Sequence, residues 1–476
     1  MNPQTRNLSA WECVRSAGPR RVAILLLVCV GLRMVLFGVF QPWDPRVEIE
    51  QVLQQDAQGY HNLATTVVES HRFAVGPQNK PDALRTPLYP MFVAAIYSLV
   101  GYKPWVVMLA QIVMEAISCL LLLLALTRLF SSKVALIAAT LYALDPFLIL
   151  YSSTTLLSDT LFVFLLVVSF WFLSHGRHNE NSKKTLLNYG LSCLFLGLAT
   201  LTRPISQFVL VCYLLFLAMA YWKRPRVAIA YSLVGLLVFG LTLFPWLLRN
   251  QSTFGHFSLS TSGSLNLLIL NVAPMEMGAR HQDARTVQES LLAEADKMMQ
   301  ADGLRPQDLD GFQKAQYWQE LAVGYIKNDP GAFVRSYLLG VFHTLFSLDT
   351  KAYSRILGLP ADDFDIKGYT SILDATKAFL GKKGIVGLLI GGTIASYLLV
   401  TYLGAMIGLL ASWKRYADRP SLVLILLFAL YFVLITGVAG LARFKLPAIP
   451  FYLAFAGMGL SYLYESAILA RKAKKR

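Results

Sequence analysis

Residues 21–40, RVAILLLVCVGLRMVLFGVF, form an apolar run whose one charge after the leading Arg21 is Arg33, with Arg20 just before it. About 20 such residues in a helix cross the hydrocarbon core of a bilayer. Similar runs recur near 105–127, 134–150, 155–174, 186–201, 205–222, 227–248, 384–412, 421–440 and 446–465. With 55% hydrophobic and 15% charged residues over 476 positions, and a mean hydropathy of +0.52, the chain reads as an all-α polytopic membrane protein of about ten transmembrane helices. The first run has no small-residue cleavage site after it, so it reads as a retained helix rather than a removed signal.

Two further apolar stretches, 87–101 and 332–348, are short, and their placement sets the sidedness of the rest. If both lie at or dip into the outer face, then the N-terminus, 128–133, 175–185, 223–226, 413–420 and the tail RKAKKR share one side and are strongly basic. The loops 41–103 and 250–383 then share the other side, with basic and acidic residues nearly balanced. The positive-inside rule selects this arrangement, with both ends cytoplasmic and the two loop regions, carrying interfacial helices, outside. It divides the chain into a cytoplasmic N-terminus (1–20), an N-terminal transmembrane module (21–255, including the first outer loop 41–103), a large outer loop region (256–383), C-terminal transmembrane helices (384–465) and a basic tail (466–476).

The formal charge of +15 therefore belongs to topology and the lipid surface, and no basic stripe interleaved with aromatics points to nucleic acid. Cys29, Cys119, Cys193 and Cys212 fall in spans and Cys13 on the cytoplasmic side, so no disulfide is expected. The seven histidines show no HxxxH or HExxH spacing, and His61 and His71 read as solvated or capping groups. A Walker loop, a dinucleotide fingerprint and a GxSxG elbow are all missing, which argues against a soluble nucleotide-sugar site.

The chemistry-bearing residues gather at outer ends of spans. Asp56, in QQDAQGYHNLA (54–64), precedes a stretch of helical periodicity and has two readings, a helix N-cap or a general base that takes a proton from an acceptor hydroxyl. Asp44, in WDP, reads as a turn residue. Arg203 in LTRP, Arg249 in FPWLLRN, and Arg443 with Lys445 in ARFKLP are isolated cations at helix ends. Each has the alternative of snorkelling to headgroups. Together they suit a phosphate leaving group, with guanidinium forks matching phosphate oxygens. Arg85, opening RTPLYP, joins them as a candidate phosphate ligand. Asp159 lies a short way into the fourth span and is either a second site carboxylate, the one candidate ligand should a divalent metal be used, or the structural partner of an arginine. Arg33 and Glu115 read as a structural ion pair.

The order of Asp56, RTPLYP (85–90), DPFLILYSSTTLLSDTLF (145–162), GLATLTRP (197–204), FPWLLRN (244–250) and ARFKLPAIPF (442–451) resembles the polytopic glycosyltransferases of the C-type fold. That group contains the bacterial lipid A aminoarabinose transferases and the dolichyl-phosphate-mannose protein mannosyltransferases. The resemblance covers roughly 20–255 and 385–465. It implies a polyprenyl-phosphate sugar donor, a lipid, glycan or protein acceptor, and transfer with inversion on the periplasmic face of a bacterial inner membrane. It also implies that Asp56 is the base and that Arg203, Arg249, Arg443 and Lys445 hold the phosphate. The protein mannosyltransferases carry an acidic pair in the first loop, whereas Ala57 follows Asp56 here. A flippase of lipid-linked sugars would read headgroups with the same arginines, but no inverted repeat is evident. A membrane oligosaccharide ligase or polymerase is the third possibility.

Overall fold

The computed structural model describes residues 8–47, 53, 56–76, 80–177, 182–280, 282–359 and 384–473. The end of the large loop (360–383) and the last three residues of the basic tail lie outside them. In chain order the helices are α1 (Ala10–Ala17), α2 (Pro19–Phe40), α3 (Ala57–Ser70), α4 (Leu88–Val100), α5 (Pro104–Leu129), α6 (Ser132–Leu144), α7 (Pro146–Thr154), α8 (Asp159–Arg177), α9 (Ser182–Thr202), α10 (Val209–Ala220) and α11 (Pro225–Phe254). They continue with α12 (Ser262–Asn266), α13 (Ala273–Arg280), α14 (Ala284–Ala301), α15 (Gly311–Asn328), α16 (Pro330–Phe346), α17 (Thr350–Ile356), α18 (Gly384–Arg415), α19 (Arg419–Leu434) and α20 (Ile449–Ala473). A two-residue hairpin, β1 (Ala74–Val75) with β2 (Lys80–Pro81), closes the first outer loop.

The polytopic all-α architecture is as the sequence predicts, but the count of ten spans is not reproduced. Among the described residues, seven helices are long and apolar enough to cross a membrane, or up to nine if each of two bent pairs is one span. The run 134–150 is broken into α6 and α7, bent by 49°, because Pro146 starts a new helix that Asp145 caps at the amides of Phe147 and Leu148. The run 205–222 opens with a 3₁₀ turn, Pro204–Phe208, which leaves α10 only 12 residues. The run 421–440 stops at Leu434, since Gly437 and Gly440 both take positive φ. The expected short helices are α4, 13 residues or about 20 Å long, and α16, which bends by 47° into α17.

One core runs through the membrane helices. Its tightest seam joins α18 to α20, where a Cβ at Gly408 would overlap the carbonyl of Phe455, so GAMIG (404–408) acts as a small-residue face that lets the backbones touch. Arg33 and Glu115 form the expected ion pair, 2.9 Å apart and sealed from solvent. All five cysteines are buried thiols. The large loop has a smaller core of its own, built from Leu268, Val272, Val287, Leu291 and Ala322. Its helices α14 and α15 match the periodicity seen around 283–302 and 312–327. It docks on the first outer loop through the Thr261 amide to the Ala83 carbonyl, 2.9 Å, and Lys80 to the Gln307 carbonyl, 2.9 Å.

Candidate active site

Asp56 lies in the first outer loop just before α3, yet its carboxylate makes no capping bond. Asp145, Asp283, Asp310 and Asp329, at the same position of their helices, all accept backbone amides. Capping is the commoner arrangement among these aspartates, and Asp56 departs from it. Its Oδ2 instead accepts from Nη2 of Arg443 at 2.8 Å, across 387 residues of sequence. The carboxylate side chain is 50% exposed and the guanidinium side chain 10%. Arg443 is carried by the 3₁₀ segment Ala442–Ala448, which the chain enters from the Gly437–Gly440 turn after α19. Burial pushes the Asp56 carboxyl up, but Arg443, with Arg203 and Arg85 behind it, outweighs this and holds it below the usual carboxylate range. Asp56 is thus ionised at neutral pH.

Arg203 ends α9. Pro204 after it forces extended backbone (φ −145°, ψ 117°), which turns the side chain out of the helix. Its guanidinium bonds Asp159, which is buried at the start of α8, and lies between the rings of Phe162 and Phe444 at about 6 Å from each. Asp159 is thus paired with an arginine, Arg203. Arg85 is aimed by Asp82, whose two oxygens take the amides of Leu84 and Arg85 at 3.1 and 3.2 Å. Thr86 then ties RTPLYP to LTRP by bonding the Thr202 carbonyl at 3.0 Å. The Arg85 guanidinium lies against Gly59 and 5.3 Å from the centre of the Tyr60 ring, one turn past Asp56. Tyr60 in turn shares a 3.1 Å hydrogen bond with Ser158, beside Asp159. Arg443, Arg203 and Arg85 all act on the Asp56 carboxylate, so the four are brought together in one cluster.

Arg249 and Lys445 are engaged elsewhere. Arg249 donates to the carbonyls of Phe73 (3.1 Å) and Asp82 (2.9 Å) and stacks among Phe73, Trp246 and Phe254, so it pins the β1–β2 hairpin to α11. Lys445 is fully buried. Its Nζ donates to the Leu345 carbonyl (3.1 Å) and more weakly to that of Ser347 (3.4 Å), at the end of α16, and lies 3.5 Å from the centre of the Phe147 ring. It is a cation on a helix C-terminus, where such charge is favourable. Neither is positioned beside Asp56 to take a phosphate. Asp44 is a turn residue bonded to Arg46, as expected. His61 bonds the Tyr97 hydroxyl at 2.9 Å and His71 ends α3 in the left-handed region. No group of three His, Cys, Asp or Glu side chains able to hold a metal occurs among the described residues, and Asp159, the one candidate ligand, is taken by Arg203.

Sequence reasoning missed Gly59, Tyr60, Ser158 and Asp349. Gly59 did leave a signal, since glycine is unfavourable inside a helix and marks a close approach. Asp349 is a half-buried aspartate at the break between α16 and α17, bonded by the Tyr151 hydroxyl at 2.5 Å.

Residues 80–248 match the family model of dolichyl-phosphate-mannose-protein mannosyltransferase. Among solved structures, the archaeal oligosaccharyltransferase AglB from Archaeoglobus fulgidus, in complex with an inhibitory peptide and a dolichol-phosphate, aligns over 96% of this chain and 51% of its own, with 15% identity and a TM-score of 0.55. The same organism's oligosaccharyltransferase tethered to an acceptor peptide aligns over 95% and 50%, again at 15% identity and 0.55. ArnT from Cupriavidus metallidurans bound to undecaprenyl phosphate aligns over 94% and 79% at 14% identity and a TM-score of 0.39. No curated protein sequence matches the chain. The chain spans about half the length of the oligosaccharyltransferase it superposes on.

Proposed function

From a chain that has the polytopic C-type glycosyltransferase fold, we propose an inverting transferase that moves a sugar from a polyprenyl phosphate to an acceptor hydroxyl on the outer face of the membrane. The carrying observation is the open Asp56–Arg443 pair with Arg203 and Arg85 beside it. Three guanidinium groups around one half-exposed carboxylate suit a substrate that brings both a phosphate and a proton to be removed.

In this reading the donor phosphate takes the guanidinium of Arg443, with Arg203 and Arg85 completing the anion site. Asp56 loses its partner in the same event, so its basicity rises when the donor is in place. The acceptor oxygen attacks the anomeric carbon from the face opposite the phosphate, and its proton passes to Asp56. The bond from carbon to phosphate oxygen breaks with its electron pair going to the phosphate, whose growing charge the arginines stabilise. The two outer loops, tied together at Thr261 and Ala83, cover the site and limit water. The basic turns favour cytoplasmic ends and an outer site, which in a bacterium is the periplasmic face of the inner membrane. Lipid, glycan and protein acceptors all present the hydroxyl this mechanism needs.

The test is transfer from radiolabelled polyprenyl-phosphate sugars in proteoliposomes. Label reaching an acceptor, and lost with Asp56→Asn, supports the reading. Movement of the donor between leaflets without transfer would make the protein a flippase, and chain growth on a diphosphate lipid would make it a polymerase or ligase.

A further inference from the structure

The aspartates that open helices in this chain divide by what their oxygens do. Asp145, Asp283, Asp310 and Asp329 cap their own helices. Asp418 makes no backbone cap but takes the hydroxyl of Ser421 in its own first turn. Three among the described residues direct the carboxylate to a distant segment. Asp56 and Asp159 each take an arginine, Arg443 and Arg203. The third is Asp349, which sits before α17, makes no capping bond, and accepts instead from the neutral hydroxyl of Tyr151, 198 residues away.

Asp349 also holds a left-handed backbone, φ 49° and ψ 32°. That region is disfavoured for a residue with a Cβ and persists where surrounding structure imposes it. Here the imposition is visible. Lys445 holds the carbonyls of Leu345 and Ser347, just before Asp349, while Tyr151 holds the carboxylate itself. Lys445 stands two residues from Arg443 in one 3₁₀ segment, and the charge of Arg443 acts on both Tyr151 and Asp349. The strained aspartate is therefore fixed to the segment that presents Arg443 to Asp56.

We infer that Asp349, oriented by Tyr151, is a substrate-recognition residue that accepts hydroxyl hydrogens from the donor's sugar ring. This rests on the transferase reading and assigns the sugar end of its site. The sign of the charge decides which part of a sugar phosphate Asp349 meets. A carboxylate repels the phosphate, which the three arginines attract, so it belongs beside the neutral, donor-rich portion of the same molecule. Its Oδ2 accepts from Tyr151, and Oδ1 has no hydrogen-bond partner among the described residues. That leaves an acceptor aimed by a fixed neighbour, the arrangement from which discrimination between hydroxyl patterns arises.

The test is equilibrium binding to the full chain in nanodiscs, with undecaprenyl phosphate carrying glucose, mannose or galactose, against sugar-free undecaprenyl phosphate. The native protein is expected to bind at least one sugar form more tightly than the sugar-free lipid. Asp349→Asn, which keeps the shape and an oxygen for Tyr151, should erase about tenfold of that preference and leave sugar-free binding unchanged. Tyr151→Phe, which frees the carboxylate without removing it, should erase part of it. Equal weakening of all lipids in Asp349→Asn would make Asp349 a prop for Arg443 and overturn the inference, as would a native protein with no preference for any of the sugars. The readout does not involve transfer. Sugar-selective binding that depends on Asp349, in a protein that transfers nothing, would sink the transferase reading alone.

Discussion

Two arginine–carboxylate pairs in this molecule have nearly the same contact distance and opposite surroundings. Arg33 and Glu115 meet at 2.9 Å with side-chain exposures of 0% and 1%. Arg443 and Asp56 meet at 2.8 Å with exposures of 10% and 50%. Arg33 also donates to the carbonyls of Cys29 and Ala143, so the partners its Nη atoms have are all protein. Asp56 has a face that a substrate can reach. Distance does not separate a pair that holds helices together from one that meets a ligand; access and the remaining partners do.

The comparison breaks first at the sealed pair. Glu115→Leu leaves Arg33 charged without a carboxylate inside the helix bundle, and removing one member of such a pair costs about 3–5 kcal/mol. The expected outcome is a large fall in thermal midpoint in detergent, with poor yield. Stability close to native in that variant would show that the pair contributes little. The open pair should behave the other way. Asp56→Asn keeps the shape, and its thermal midpoint should stay near the native one, while transfer falls by about 10³-fold, the scale of a missing general base. A variant that unfolds but retains activity per folded molecule would reverse the assignment.

How much of this is legible in the sequence follows from the same contrast. The membrane class, the paired Arg33 and Glu115, and the loop position of Asp56 come from composition, helix-centre charge and spacing, which are local properties. Arg443 and Lys445 look alike in ARFKLP, yet one bonds Asp56 and the other caps α16. In a 3₁₀ segment residues two apart point roughly 120° away from each other, and apolar flanks alone do not tell which side opens. Arg249 gave no sign of its role, because its partner carbonyls, Phe73 and Asp82, are 176 and 167 residues distant. The count of ten is not reproduced at the Pro204–Phe208 turn and at the Gly437–Gly440 turn, where hydropathy stays high while the helix is cut short.

A smaller effect sharpens the picture of the open side. A Cβ at Gly59 would overlap the Arg85 guanidinium, which is the far end of a flexible side chain and able to move. Gly59→Ala should therefore leave the fold intact and displace Arg85 from beside Asp56. Alanine also favours the helix in which Gly59 sits. The expected result is about a tenfold loss of kcat/KM, carried in the donor KM, with no fall in thermal midpoint. An unchanged donor KM would show that Arg85 takes no part in binding the phosphate.

The least conspicuous prediction concerns pH, and it separates the two members of the open pair. Burial raises the Asp56 carboxyl, yet Arg443, Arg203 and Arg85 bring it below its ordinary value of 3.8. A carboxyl depressed on folding contributes stability above its unfolded value, and that contribution is lost as pH falls from about 3.8 through the folded value. In the free enzyme Asp56 is already ionised throughout the neutral range, so kcat/KM should show no acid limb from it down to about pH 5. Arg443→Gln removes the strongest opposing charge and leaves burial less opposed, so an acid limb should move upward toward that window. Arg249→Gln, changed at an arginine that grips carbonyls of the β1–β2 hairpin rather than Asp56, should lower stability without moving the limb. Identical pH profiles in the two variants would mean that Arg443 does not govern the protonation of Asp56, and that the 2.8 Å contact is structural like its sealed counterpart.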